Sequence, residues 1–329
     1  MLARTAFSAL FLAVLACAQE PRLERIVTLH YATSPTAMQE ILNVARSIGD
    51  VPDATQDREA HTLTLRATAS QLDAAEWCIR ELDRPADQPA PPNNEAREYR
   101  TSGTGGFVAT TYFFIHIADP RSMQEVVNSV RATTEMQRLF PVSTPHALIM
   151  RGTADQVAAA KWMIAELDRE APPASAAPVV HAYPGSLPRL AAQRIFFLGN
   201  IHDPQGLQEA VNATRSVAEV QRFFPVTRTA ALVLSGSLEE AEVSEWLLSH
   251  LDTAGAAAPG ERPDSASGVV RVYAIPSQVS PQTLQQAVNR VRAEVQVRNV
   301  FPVHTRHAVL FRGTAEQAAA AGRIFAELH

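Results

Sequence analysis

The chain has 329 residues, a formal net charge of -5 and a pI near 6.1. Binding to nucleic acid phosphates needs Lys and Arg in excess, so this balance argues against nucleic acid as a partner. Beyond the N-terminus no segment approaches the roughly 20 apolar residues of a membrane-spanning helix, so the mature chain is expected to carry no transmembrane segment.

Residues 1–18 read as a signal peptide. Arg4 gives a short positive start, Ala6 to Leu15 is an apolar run, and Ala16-Cys17-Ala18 offers small residues at the cleavage positions. The alternative takes Cys17, after Val14-Leu15-Ala16, as a lipid-modified first residue and hence an anchor. Either reading places the chain in the periplasm or at the outer membrane. Once the leader is removed with Cys17, Cys78 is the lone thiol and no intramolecular disulfide can form. It stands between Trp77 and Ile79 in a helical pattern, where a buried apolar contact is expected.

One unit is then written four times. Its clearest copy runs from Asp203-Pro204 through Leu207-Gln208-Glu209, Asn212 and Arg215 to Phe224-Pro225-Val226. Asp119-Pro120 and Ser280-Pro281 open close copies, and Ser34-Pro35 a weaker one. Self-similarity at this period marks a repeat protein. The units cover residues 25–85, 109–169, 194–252 and 269–329. In each, Ser or Asp can cap a helix with Pro at its first position, where the missing N–H costs nothing. In the first unit Met38, Ile41, Leu42 and Ala45 then recur at helical spacing. His61 to Leu65 alternates polar and apolar, as a half-buried strand does, whereas the matching strands read Ala-Leu-Ile-Met, Ala-Leu-Val-Leu and Ala-Val-Leu-Phe. Thr68 with Gln71, Thr153 with Gln156, Ser237 with Glu240 and Thr314 with Gln317 form capping boxes in register at the second helix.

The order in each unit is strand, helix, strand, strand, helix. An α+β class is predicted: four tandem small βαββα domains, each a three-stranded sheet with two helices on one face. Residues 86–108, 170–193 and 253–268 are Pro/Ala-rich linkers, which predicts partly stiffened spacers and units strung as separate beads.

This pattern, closing on Leu-Asp in Leu82-Asp83-Arg84-Pro85, Leu167-Asp168 and Leu251-Asp252, resembles the periplasmic N-terminal repeat domains of secretins. Secretins are the outer-membrane ring channels of type II and type III secretion and of type IV pili. The resemblance implies a KH-like fold and a domain type that stacks into rings and contacts protein partners. The chain ends at His329 without a channel domain, so pore formation is not carried over. A KH-type RNA role is not expected either, because no Gly-x-x-Gly loop follows the first helix.

No catalytic, cofactor or metal constellation stands out. Gly103-Thr104-Gly105-Gly106 has no following Lys-Ser/Thr, Ser237 is a helix cap, and His304 with His307 lacks further ligands. His116 and His202 share no repeat column. What recurs is a polar stripe on the first helix: Gln39, Asn43 and Arg46; Gln124, Asn128 and Arg131; Gln208, Asn212 and Arg215; Gln285, Asn289 and Arg292. It lies about 100° round the helix from the apolar face. Two readings stay open, hydrogen bonding within the unit or contact with another unit or partner. The sequence therefore predicts a non-enzymatic exported scaffold without cofactors, making protein-protein contacts or self-assembling in the cell envelope as an accessory to secretin-type secretion or pilus machinery. The alternative is an envelope protein binding a peptide or glycan.

Overall fold

The computed structural model describes residues 20–85, 97–100, 106–170, 177–185, 187, 191–264 and 268–328. The leader, Gly103-Thr104-Gly105, His329 and part of each linker lie outside them. The first unit comprises β1 (Leu23–Thr28), α1 (Pro35–Ser47), β2 (Asp53–Asp57), β3 (Thr62–Ala67) and α2 (Ala69–Leu82). The second has β4 (Glu98–Arg100), β5 (Val108–Phe113), α3 (Pro120–Thr134), β6 (Arg138–Val142), β7 (Ala147–Gly152) and α4 (Ala154–Leu167). The third has β8 (Val179–Ala182), β9 (Ala192–Phe197), α5 (Pro204–Ala218), β10 (Arg222–Val226), β11 (Ala231–Gly236) and α6 (Leu238–Leu251). The fourth has β12 (Gly260–Pro263), β13 (Val269–Ala274), α7 (Pro281–Glu294), β14 (Val300–Val303), β15 (Ala308–Gly313) and α8 (Ala315–Ala326). The class is α+β, with four small antiparallel sheets.

Local chemistry sets the helix ends. Ser34, Asp119, Asp203 and Ser280 accept the N–H three residues on, at 3.2, 2.8, 2.7 and 3.1 Å. All four capping boxes close reciprocally. After each first helix the chain turns through a left-handed residue, Asp50, Glu135, Glu219 or Gln296, with φ between 55° and 61°. None of these is β-branched, and Asp belongs with the residues that enter this region most readily.

The third strand of each unit is central, with order β1-β3-β2 in the first sheet. The other sheets add a fourth strand: β4-β5-β7-β6, β8-β9-β11-β10 and β12-β13-β15-β14. The expected three strands therefore describe the first unit alone. The added strands come from residues assigned to linkers, whose Glu98-Tyr99-Arg100, Val179-Val180-His181-Ala182 and Gly260-Glu261-Arg262-Pro263 pair antiparallel with the next first strand. In the first unit β1 ends at Thr28, because a carboxylate captures the backbone beyond it. Asp83 accepts the N–H groups of His30, Tyr31 and Ala32 at 2.7, 2.8 and 2.8 Å. Asp168 does the same for Ile115, His116 and Ile117, and Asp252 for Gly199, Asn200 and Ile201. The recurring Leu-Asp is thus a clip from the second helix to the loop after the first strand.

The units are not separate beads. Side chains alternate across a strand, so a fully apolar strand buries both faces. In β7, Leu148 and Met150 join the core of their own unit, while Ala147 and Ile149 join the core of the first unit. In β11, Leu232 and Leu234 face α5 and α6, and Ala231 and Val233 enter the second unit's core. In β15, Val309 and Phe311 face inward, and Ala308 and Leu310 enter the third unit's core. Each sheet after the first is sandwiched between its own helices and those of the preceding unit. Burial on this scale, at about 25 cal/mol per Å² of apolar surface, holds the stack together and offsets the marginal stability of each small unit.

Asp168 is only 5% exposed. Asp168→Ala strands three backbone donors and is expected to cost on the order of 3 kcal/mol in urea unfolding, with Asp168→Asn costing less. A loss below about 0.5 kcal/mol for the alanine variant would show that the clip does not hold the loop.

Candidate functional site

The polar stripe bonds mainly within its own unit. Gln39, Gln124, Gln208 and Gln285 donate to Asn43, Asn128, Asn212 and Asn289 one turn on, at 3.0, 2.7, 3.0 and 3.0 Å. Arg46, Arg131 and Arg292 reach the edge strand of the same unit and donate to the carbonyls of Ala54, Leu139 and Val300, at 2.5, 2.7 and 2.8 Å. In the second unit the stripe also borders a neighbour: Asn128 and Arg131 line a shallow recess with Glu135 and with Arg222 of the third unit.

The contacts between units are made by residues beside the stripe. Glu40 accepts the N–H and hydroxyl of Ser143 at 2.9 and 2.7 Å. Glu125 accepts from Thr227 at 2.8 and 3.3 Å, and Glu209 from Thr305 at 2.9 Å in both bonds. Each glutamate follows the stripe's Gln by one position and reads the turn between the second and third strands of the next unit. The left-handed acids form a second contact. Asp50 pairs with Arg138 and Arg151, each at 2.6 Å; Glu135 pairs with Arg222; Glu219 takes Asn299 at 2.8 Å and Arg312 at 3.5 Å.

A tryptophan column makes a third contact. Trp77 packs on Tyr99 of β4 with ring centroids 6.0 Å apart, and Trp162 on Tyr183 after β8 at 5.3 Å. Trp246 stacks with His250 at 4.3 Å, where β12 crosses on Gly260; a Cβ there would lie 3.1 Å from the indole. Arg228 and Arg306 complete two of the joints by donating to carbonyls at the end of the preceding second helix, Leu167 and Arg169 for the one, Leu251 and Thr253 for the other. At the first joint Thr144-Pro145 stands instead, beside a recess lined by Arg84, Phe114, Ile115, Ile117 and His146.

The outer ends of the stack depart from these columns. Glutamate gives way to Gln286, the left-handed acid to Gln296 and tryptophan to Arg323. The buried pairs Val44 and Ile48, Ser129 and Thr133, Ala213 and Val217 are matched in α7 by exposed Arg290 and Glu294. Arg290 pairs with Glu294 and Glu327 at 2.8 and 2.5 Å. At the other end, the outer face of the first sheet carries Thr28, Thr62, Thr64, an Arg66 held by Glu24 at 2.5 Å, and one exposed apolar side chain, Ile26. Polar terminal faces are what a finite repeat array requires.

Other residues singled out in the sequence serve structure. Cys78 is fully buried, and burial pushes its thiol far above the ordinary range, so no thiolate nucleophile forms there. Ser237 is engaged as a cap with Glu240. His202 bonds the Gly199 carbonyl at 2.9 Å, and His307 sits at a left-handed turn closed on the His304 carbonyl. Among the described residues no cluster of His, Cys, Asp and Glu could hold a metal ion, and no helix is long and apolar enough to cross a membrane.

At the first joint one carboxylate, Asp50, is held between two guanidinium groups. Burial raises the pKa of Asp50, but hydrogen bonds and attraction from Arg138 and Arg151 outweigh it and hold the carboxyl below its ordinary value of 3.8. A carboxyl depressed in the folded state contributes stability that is complete above pH 3.8 and is lost as the pH falls through the depressed value. Asp50→Asn, which keeps the left-handed turn, is expected to lower stability at pH 6 and flatten the acid limb in urea unfolding as the pH falls from about 5 to about 2. An unchanged acid limb would contradict this.

No family model matches the chain, and no curated protein matches it. Among solved structures it is similar to the N-terminal domain of the secretin XcpQ from Pseudomonas aeruginosa, at 14% identity and a TM-score of 0.19, over 45% of this chain and 62% of that one. It is similar to Aeromonas hydrophila ExeD at 13% identity and a TM-score of 0.17, over 77% of this chain and 43% of that one. A chain of the ETEC pilotin-secretin AspS-GspD complex matches at 10% identity and a TM-score of 0.18, over 93% of this chain and 55% of that one. The chain thus spans between about two fifths and three fifths of the secretin chains it matches.

Proposed function

We propose that this chain is a non-enzymatic exported scaffold that works through protein contacts in the periplasm or at the outer membrane, as an accessory to a secretin-type secretion or pilus system. The observation that carries this reading is the joint repeated between successive units. A sheet packs on the preceding helices, a glutamate reads the next turn, and an ion pair or charge-assisted bond locks the rim. Such an arrangement makes an extended surface from small units and ties up its recurring polar side chains in holding them together. The leader-like N-terminus supports export, and the strand-helix order with its Leu-Asp clip supports kinship with domains that serve ring assemblies. The charged outer face of α7 supports association along the sides of the stack rather than growth from that end.

Photo-crosslinkers placed at exposed Tyr31, Ile115 and Leu238 in cells test this directly. Discrete adducts with an envelope protein are expected from at least one position, in the periplasmic or outer-membrane fraction. A chain that stays in the cytoplasm, or that yields no adduct from any position, contradicts the proposal.

A further inference from the structure

The sheet edges of this molecule are protected in different ways, and among the described residues β1 lacks the added strand that its counterparts β5, β9 and β13 carry. Unpaired strand edges invite addition of another strand, and proteins blunt them with proline, charge or cover. On one side β6, β10 and β14 carry Pro141, Pro225 and Pro302, which donate nothing to an incoming strand. In the first unit the edge strand β2 begins and ends with Asp53 and Asp57. On the other side β5, β9 and β13 are covered by the antiparallel strands β4, β8 and β12. Among the described residues, β1 pairs only with β3.

The open edge is formed by alternate residues of β1. Leu29 donates its N–H to His61 at 2.8 Å, so Leu23, Arg25 and Val27, in phase with it, turn their backbone groups toward β3. Glu24, Ile26 and Thr28 turn theirs outward. Ile26 is 66% exposed on the face away from the helices, and β1 holds no proline to guard its edge.

Charge indicates what fits there. Where the sister sheets carry an added strand, Glu98 of β4 lies 3.7 Å from Lys161 of α4, and Glu261 of β12 lies 3.3 Å from Arg271 of β13. In the first unit the residue matching Lys161 is Glu76. Arg25, which matches Arg271, is already shared by Asp73 and Glu76 at 2.8 and 2.9 Å. Two carboxylates facing one guanidinium leave a negative excess beside the open edge.

We propose that β1 receives an extended basic segment of a partner protein as a fourth antiparallel strand, its basic side chains over Asp73 and Glu76 and its apolar ones beside Ile26. The main chain supplies affinity and the alternating side chains supply selectivity, as in strand addition generally. This rests on the scaffold reading and names the chemistry of one contact.

The probe is a fluorescein-labelled hexapeptide alternating arginine and valine, with a glutamate-valine peptide as its counterpart, titrated by anisotropy against the mature chain. Saturable binding of the arginine peptide is expected, at least tenfold tighter than the glutamate peptide. Ile26→Pro removes an outward N–H while sparing the pairing to β3, and is expected to weaken binding at least tenfold with the melting curve retained. The surface pair Asp73→Lys/Glu76→Lys, which does not touch the β1 backbone, is expected to reverse the preference even if the proline variant fails to fold. Absence of binding, equal binding of the two peptides, or an unreversed preference overturns the proposal. Crosslinks in cells alongside such a failure would leave the scaffold reading standing and remove only the β1 contact.

Discussion

The structure depends on one constraint: a sheet whose two faces are both apolar must be covered twice. In the second, third and fourth units the central strands β7, β11 and β15 have no polar face to offer water along their paired length up to Met150, Leu234 and Phe311. Their own helices cover one side. Only the helices of the preceding unit are available for the other, so sequence order becomes spatial order. The glutamate bonds, the left-handed acids and the tryptophans then fix register at joints whose adhesion is mostly apolar. Rim charges of this kind add little adhesion in water, but a mismatched partner would leave them unpaired.

Much of this architecture is legible in the residues, and some of it is legible only across units. Proline at the first helical position and the Ser/Thr-x-x-Glu/Gln boxes signal helix starts because they satisfy backbone donors locally, and the structure places helices there. Val157, Ala160, Ile164 and Leu167 likewise face the core, as their spacing requires. The joints are harder to read, because their meaning lies in differences between copies. His61 to Leu65 alternates while its counterparts are continuously apolar, and that contrast marks the first sheet as half-covered and the others as fully covered. Gln286 and Gln296 replace the acids in the fourth unit, whose helices receive no described sheet. The strands of three or four residues inside Pro/Ala-rich spacers carry too little periodicity to be seen without the edge they pair with. The stripe at Asn128 and Arg131 is visible by recurrence, yet recurrence alone cannot separate a bond within a unit from a bond between units. The neighbouring Glu125 carries the joint itself.

Prolines along one side of the stack and spacer strands along the other limit where a partner can bind. Two lateral features lie in the first two units: the recess at the first joint beside Thr144-Pro145, and the edge of β1.

The central claim is that the four units form one continuous body rather than beads on spacers. Its most direct test is a distance distribution between spin labels at Thr28 in the first unit and Arg323 in the fourth, read by pulsed dipolar spectroscopy with buried Cys78 left unlabelled. A stacked array gives a single narrow distribution that does not change with salt. A broad distribution of the kind expected for flexible linkers would contradict the account.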